Sequence, residues 1–329
     1  MPETGLWQDV AELAESLTAT LDARAGFDDA AALLGADGVQ RIVATGNGAA
    51  YYVAVALWLA SLESAVEVVA VPSGLVARGG FRWRPGDALL AISSSGEFRD
   101  LVEAAASGAP RPYAAITANA ESTLGAGAGA RALVVVRQQR AVTHTQAFCG
   151  AVAAALAVLA ELTNDAGLRL ALAGVPLLVA DAVGAARIWA EDAVMPEPEA
   201  AVAFGSGPAW AAALEAALLL KEVAGIPAEG VETREGATSA MMALRPGHLA
   251  LSLPAGADPL LDEAEAICAA RGATVLRAPV PDGADRRLAA IATFPAAAAL
   301  AERLGLARGL DVDNPAWTDD YYRVARTSA

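Results

Sequence analysis

"VATGNGAAY" at residues 43–51 and "VAFGSGPAW" at residues 202–210 decide the fold. Each begins as a short apolar run, passes through glycine–x–glycine, and enters an alanine-rich segment. A buried strand that must turn at once into a helix has this signature, because glycine lets the backbone turn tightly and approach closely. The copies stand 159 positions apart, Gly205 against Gly46, and the same offset sets Glu222 on Glu63. At an offset of 160, "ALLAISSSG" (88–96) matches "HLALSLPAG" (248–256). The chain reads as one α/β unit written twice, each copy of roughly 150 residues.

The surrounding pattern agrees. "RIVAT" (41–45), "VEVVAV" (66–71), "ALLAIS" (88–93), "YAAIT" (113–117) and "ALVVV" (132–136) are near-continuous apolar runs, with helical segments between most of them. Such strands imply a parallel sheet covered on both faces. Helices are expected over about 49–62, 145–162 and 170–192, and "MPEPEA" (195–200) reads as a linker or turn. The expected order is an N-terminal helical segment (1–30), a first domain (31–165), a connecting helix (166–195), a second domain (196–308) and a tail (309–329) without counterpart in the first half.

Composition bounds the function. The 329 residues suffice for two domains. Hydrophobic residues make up 55% and aromatics only 5%, so small side chains must build a closely packed core. A net charge of −15 argues against nucleic acid or an anionic membrane surface as partner. Cys149 and Cys268 are the only cysteines, too few for a disulfide framework or a cysteine metal site, and consistent with a reducing cytosol. The acidic, amphipathic N-terminus is no signal peptide. The longest unbroken apolar stretch, "AFCGAVAAALAVLA", is shorter than the roughly 20 residues of a membrane span. A soluble, cytoplasmic protein is expected. Its arginine-for-lysine, alanine-rich character reads as genome composition.

The glycine loops raise dinucleotide binding, but that fingerprint needs a third glycine where Tyr51 and Trp210 stand. "ISSSGEFRD" (92–100) says more. Three hydroxyls, a glycine and the N–H groups of a helix expected to start near Glu97 form an anion cradle. The plainer alternative is that Ser94 or Ser95 only caps the helix. The second copy has "LSLPAG" there and has lost the hydroxyls, so one phosphate site per pair of copies is expected.

"ALEAALLLKEVAGIPAEG" (213–230) holds Lys221, the only lysine, beside Glu222. Glu215 and Glu222, seven residues apart, share one face of a helix apolar nearly all round. A carboxylate so placed has its pKa raised toward neutrality, as a general base requires. The alternative is a structural Lys221–carboxylate pair that fixes the helix.

On these residues the chain resembles the tandem sugar isomerase (SIS) domain family, and within it the isomerase half of the glucosamine–fructose-6-phosphate aminotransferases. "ATGNGAAYYVA", "SSSGEFRDL", "VTHTQAF" (142–148), "ALEAALLLKEVAGIPAEG" and "DVDNP" (311–315) carry the resemblance, which covers nearly the whole chain. It implies two flavodoxin-like α/β domains in tandem, each a parallel sheet sandwiched by helices, a homodimer whose site is completed across subunits, no cofactor, no metal, and a phosphosugar at the serine run. Ser93, Ser94, Ser95 and Gly96 then hold the phosphate, and Gly46, Asn47, Gly48, Val142 and Lys221 line the sugar. Glu222 takes the place of the base that moves a proton between C1 and C2.

Departures from the family bear on activity. Phe98 replaces a common threonine, Leu219 a lysine and Thr238 the ring-opening histidine, and no lysine follows "DVDNP". No glutaminase domain stands in the chain, so glutamine is not expected as the nitrogen source. His144 is the candidate substitute for the histidine, with Glu235 and Arg234 at the site edge, while His248 is expected to be structural. Two readings follow: an aldose–ketose isomerase or deaminase acting on a sugar phosphate, or a sugar-phosphate-binding regulatory protein without turnover.

Overall fold

The computed structural model describes residues 3–107, 112–193 and 195–325. Met1 and Pro2 of the expected N-terminal segment, Val194 of the connecting helix and residues 326–329 of the tail lie outside them.

Among the described residues nine strands form two sheets, all of whose pairings are parallel. The first comprises β1 (Arg41–Gly46), β2 (Val68–Pro72), β3 (Asp87–Ile92), β4 (Tyr113–Thr117) and β5 (Ala130–Leu133), in the order β2-β1-β3-β4-β5. The second comprises β6 (Ala200–Gly205), β7 (Ala228–Glu232), β8 (His248–Ser252) and β9 (Thr274–Arg277), in the order β7-β6-β8-β9. Every residue of β1, β3 and β8 is buried, as strands covered on both faces must be. Leu89 and Ala91 point to the face that holds Leu101 and Leu124, and Leu90 by alternation points to the other.

The glycine turns repeat in detail. Gly48 and Gly207, each at the entry to a helix, have φ of 53° and 54°. A Cβ on Gly46 would overlap the backbone of Ala50, and one on Gly205 that of Ala209. Only glycine lets strand and helix meet so closely.

Two compact units group the chain differently from the consecutive domains expected at 31–165 and 196–308. One, with the five-stranded sheet, takes Glu15–Arg137, Gln146–Gly174 and Trp317–Ala329; the other, with the four-stranded sheet, takes Met1–Ala14, Gln138–Thr145 and Val175–Ala316. Long-range hydrogen bonds explain the grouping of the second. Asp9 accepts from the N–H groups of Arg140 and Ala141, and Val142 N–H donates to Asp313 O at 2.8 Å.

Some elements differ from expectation. The last strand of the first sheet ends at Leu133, short of the expected 132–136. Beyond it, Val135 N–H donates to Thr20 Oγ1 and Val135 O accepts from Ser16 Oγ, so side chains of the helix Leu13–Asp22 take over from the ladder. The helix Ala166–Asp192 runs 27 residues and is long and apolar enough to cross a membrane, which no unbroken apolar stretch suggested. The segment Arg286–Ala307 passes the same test but is 94% buried, as a core helix is.

Candidate functional site

In the five-stranded unit the chain leaves β1 for β2 on one side and returns to β3 on the other. This is the switch point at which open α/β sheets bind ligands, beyond the carboxyl ends of the strands. Thr45 pairs with Ala91, so the loop Gly46–Gly48 and the run Ser93–Gly96 leave the sheet side by side.

The serine run is a built turn. Gly96 N–H donates to Ser93 Oγ at 3.1 Å, and Glu97 N–H to Ser95 Oγ at 3.3 Å. Gly96 has φ of 69°, and a Cβ there would overlap Ser122 Oγ. Ser94 O accepts from Ala118 N–H and Thr117 Oγ1. The helix begins at Arg99, two residues later than expected, because residues 93–98 are spent on this turn. Glu97 therefore sits outside the helix, and its carboxylate accepts from Thr123 N–H at 2.7 Å and Thr123 Oγ1 at 2.8 Å. Each serine hydroxyl that accepts from the turn still carries a proton to donate. The backbone N–H groups of Asn47, Gly48, Ser94 and Ser95 have no hydrogen-bond partner among the described residues. Converging N–H groups and hydroxyls suit an anion. Phe98, where the family often has threonine, packs against the core around Leu89 and Leu101.

In the four-stranded unit the equivalent place offers Leu253, Pro254 and Ala255, and Ser206 Oγ donates to Thr233 Oγ1 at 2.7 Å. The helix Ala209–Glu222 crosses from this end to the amino end of the sheet, packed tightly enough that a Cβ on Gly230 would lie 2.5 Å from Ala213 O.

Glu215, 3% exposed, is sealed inside; its Oε2 has no hydrogen-bond partner among the described residues. Burial, then the charge of Glu222, pushes its pKa well above the usual carboxyl range. Glu222 is half-buried as the last helical residue, and burial lifts its pKa to about 7 against the opposing pull of Lys221. Lys221 itself is exposed. It is therefore no buried ion-pair partner; as the basic residue of the last turn it suits the negative end of the helix dipole.

The loop carrying Val142 and His144 is tied down on both sides. Arg140 bonds Asp9 at 2.8 Å and Glu12 at 2.6 Å, and the Asp313 carboxylate accepts from Gly5 N–H and Leu6 N–H, both at 2.8 Å. The segment leading to Asp313 passes the end of the Glu222 helix: Cβ atoms built on Gly225 and Gly305 would meet Leu310 and Val223 O at 3.4 and 2.5 Å. The structure thus brings the 142–144 loop toward the end of the unit that holds Glu222. Burial lowers the His144 pKa, so the imidazole is neutral at pH 7, and its Nδ1 has no partner among the described residues.

Glu235 is placed elsewhere. It follows the carboxyl end of β7, whereas Glu222 precedes the amino end, about 15 Å away along a five-residue strand. Glu235 and Arg234 are exposed, and Glu235 Oε1 accepts from Ser239 Oγ at 2.9 Å. Within this unit Glu235 does not reach Glu222. Thr238, at the position of the family's histidine, donates to Glu235 O at 2.9 Å. His248 is buried at the start of β8, with Nε2 3.9 Å from Glu199 Oε2.

No family model and no curated relative matches the chain. Solved structures do. A glucosamine-6-phosphate deaminase from Thermotoga maritima aligns with a TM-score of 0.79 at 18% identity, over 95% of this chain and 98% of its own. The C-terminal domain of glucosamine–fructose-6-phosphate aminotransferase from Francisella tularensis gives 0.77 at 18% identity, with the same coverages. Tagatose-6-phosphate ketose/aldose isomerase from Escherichia coli gives 0.74 at 18%, over 94% and 95%. The fold is the one these sugar-phosphate proteins share. The resemblance read from the motifs therefore extends to the backbone of nearly the whole chain.

Sequence reasoning missed the residues that hold the site rather than line it. Glu97 with Thr123, Ser122 beneath Gly96, Asp9 with Arg140 and Asp313 at the helix Gly5–Ala11 all act across long sequence separations. Only "EST" at 121–123 carried a local signal, since Ser122 caps the short helix that follows it.

Proposed function

We propose that the chain is a sugar-phosphate aldose–ketose isomerase or amino-sugar-phosphate deaminase, built as two flavodoxin-like SIS domains in tandem and working without cofactor or metal in the cytoplasm. The phosphate rests on the turn Ser93–Gly96 and on Asn47 and Gly48, where unpaired N–H groups and hydroxyls converge. Glu222 removes the C2 proton of the open-chain sugar and returns it to C1. The proton on O2 passes to O1 through the enediol formed between the two steps, converting aldose to ketose. His144, neutral and with Nδ1 unengaged, accepts the ring hydroxyl proton during opening.

The observation that carries this reading is Glu222 with a pKa of about 7, since a general base works best when its pKa lies near the working pH. The named activities of the structural neighbours supply the substrates to try first: glucosamine 6-phosphate and tagatose 6-phosphate. Deuterium uptake at C1 or C2 of the bound sugar, read by NMR in deuterated buffer, tests isomerisation, and ammonia release tests deamination. Binding of a sugar phosphate with neither exchange nor release would instead establish the second reading, a binding or regulatory protein. Thr238 favours that reading, because its hydroxyl is spent on its own helix.

A further inference from the structure

We propose that Ser73 is a positioning residue of the anion cradle, on the reading that the cradle is the phosphate site. Its hydroxyl holds the side-chain amide of Asn47 with the NH2 group turned onto the phosphate. The two copies of the glycine turn carry this inference. Gly46 pairs with Pro72 and Gly205 with Glu232, so Asn47 and Ser206 each stand one residue beyond a paired strand end. Ser73 and Thr233 stand one residue beyond β2 and β7, and each opens a short helix. Both are 0% exposed. The loops match as well, with Gly48 and Gly207 at φ of 53° and 54°.

The side chains differ in what they bond. In the second copy Ser206 Oγ donates to Thr233 Oγ1 at 2.7 Å, which latches the loop to the strand end. In the first copy Ser73 Oγ has no hydrogen-bond partner among the described residues, and the Asn47 side chain makes no bond there either. A sealed hydroxyl without a partner costs free energy, and native folds keep few of them. Two positions that bond in one copy and stand open in its twin imply a partner that only the bound state supplies.

The chemistry of the amide shows how. The contact in the second copy puts the two positions within hydrogen-bond reach, and asparagine extends one atom further than serine. Ser73 is sealed and cannot touch a ligand. Asn47 is half-buried and lies beside the unpaired N–H groups of the loop, so it can. An amide carries an acceptor on one edge and donors on the other. Left free, it presents either edge to an anion, and the oxygen edge repels. A hydroxyl that donates to Oδ1 removes that choice. Ser73 Oγ–H then bonds Asn47 Oδ1, and Asn47 Nδ2–H bonds a phosphoryl oxygen. In the second copy the two hydroxyls bond each other, and no such donor is left for an anion.

Calorimetric titration with inorganic phosphate and glucosamine 6-phosphate, beside thermal melts without ligand, tests the proposal. Threonine and valine share a shape and differ in the hydroxyl, and threonine already fills this place in the second copy. Ser73→Val should weaken binding of both anions roughly 5- to 10-fold, whereas Ser73→Thr should keep the parent affinity. Ser73→Ala, which adds no atom to the sealed position, should match the valine variant. In an Asn47→Ala background Ser73→Ala should cause no further loss, because Ser73 acts through that amide. Without ligand, Ser73→Val should melt no lower than Ser73→Thr, since the hydroxyl is unbonded there. Equal affinities of the threonine and valine variants, a full further loss in the Asn47→Ala background, or a lower melt for valine than threonine would each overturn the proposal while leaving the phosphate site in place. A parent that binds neither anion would instead remove the phosphate site, and the role of Ser73 with it.

Discussion

Glu222 sits where burial and solvent meet, and its carboxyl, lifted to about 7, is divided between acid and base forms at neutral pH. If it moves the proton, Glu222→Gln keeps shape and binding but lowers the exchange rate roughly 100- to 10,000-fold. The parent rate should rise with pH through about 7. Stability should move the other way. A carboxyl whose folded pKa lies above its unfolded value favours the fold while protonated, and that advantage fades as pH climbs from about 4.5 through 7. Glu222→Gln should therefore melt higher than the parent at pH 8 and equally at pH 4.5. A lower melting temperature at pH 8 would restore the ion-pair reading that the exposed Lys221 speaks against. At the cradle, Ser95→Ala should weaken sugar-phosphate binding several-fold by calorimetry, whereas Ala255→Ser, in the copy without the serine turn, should change nothing.

The turn between β3 and the helix Arg99–Ser107 joins binding to folding. Gly96→Ala would place a side chain at a φ of 69° and onto Ser122, so both melting temperature and phosphate affinity should fall. Phe98→Thr restores the hydroxyl common in the family but removes a ring from the core beside Leu89; a loss of about 1–3 kcal/mol in urea unfolding is expected. This element also shows where sequence reading ends. Gly46–Gly48 and Ser93–Gly96 were legible because strand, glycine and hydroxyl pattern are local. The delayed helix start was not, since it depends on Glu97 bonding Thr123 and on Ser122 beneath Gly96. Likewise the raised pKa of Glu222 was legible from its place on an apolar helix beside Glu215, but the distance of Glu235 from it was not. That distance follows from which end of the sheet each element reaches, and periodicity does not carry it.

Across the molecule, the titrating groups set the pH of greatest stability. Glu215, Glu222 and Glu302 all have raised pKa values, chiefly from burial, so each costs stability as pH rises through its folded pKa. His144, lowered by burial, acts oppositely, losing its contribution as pH falls below its ordinary value of 6.5. The melting temperature should decline as pH rises through about 7, and Glu215→Gln should lessen that decline. The two parallel sheets followed from apolar runs broken by glycine, a pattern repeated at both ends of the chain. The grouping of residues 1–14 and 138–145 with the four-stranded sheet did not, because single side chains such as Asp9 and Asp313 enforce it.

The exposed Lys221 has a practical consequence. A lysine-specific protease has one cleavage site in the whole chain, the bond to Glu222. That bond lies in the last helical turn and must unwind before a protease can seat it. The rate at which the chain falls into fragments 1–221 and 222–329 thus clocks the fraying of that turn, and a sugar phosphate engaged by Glu222 should slow it.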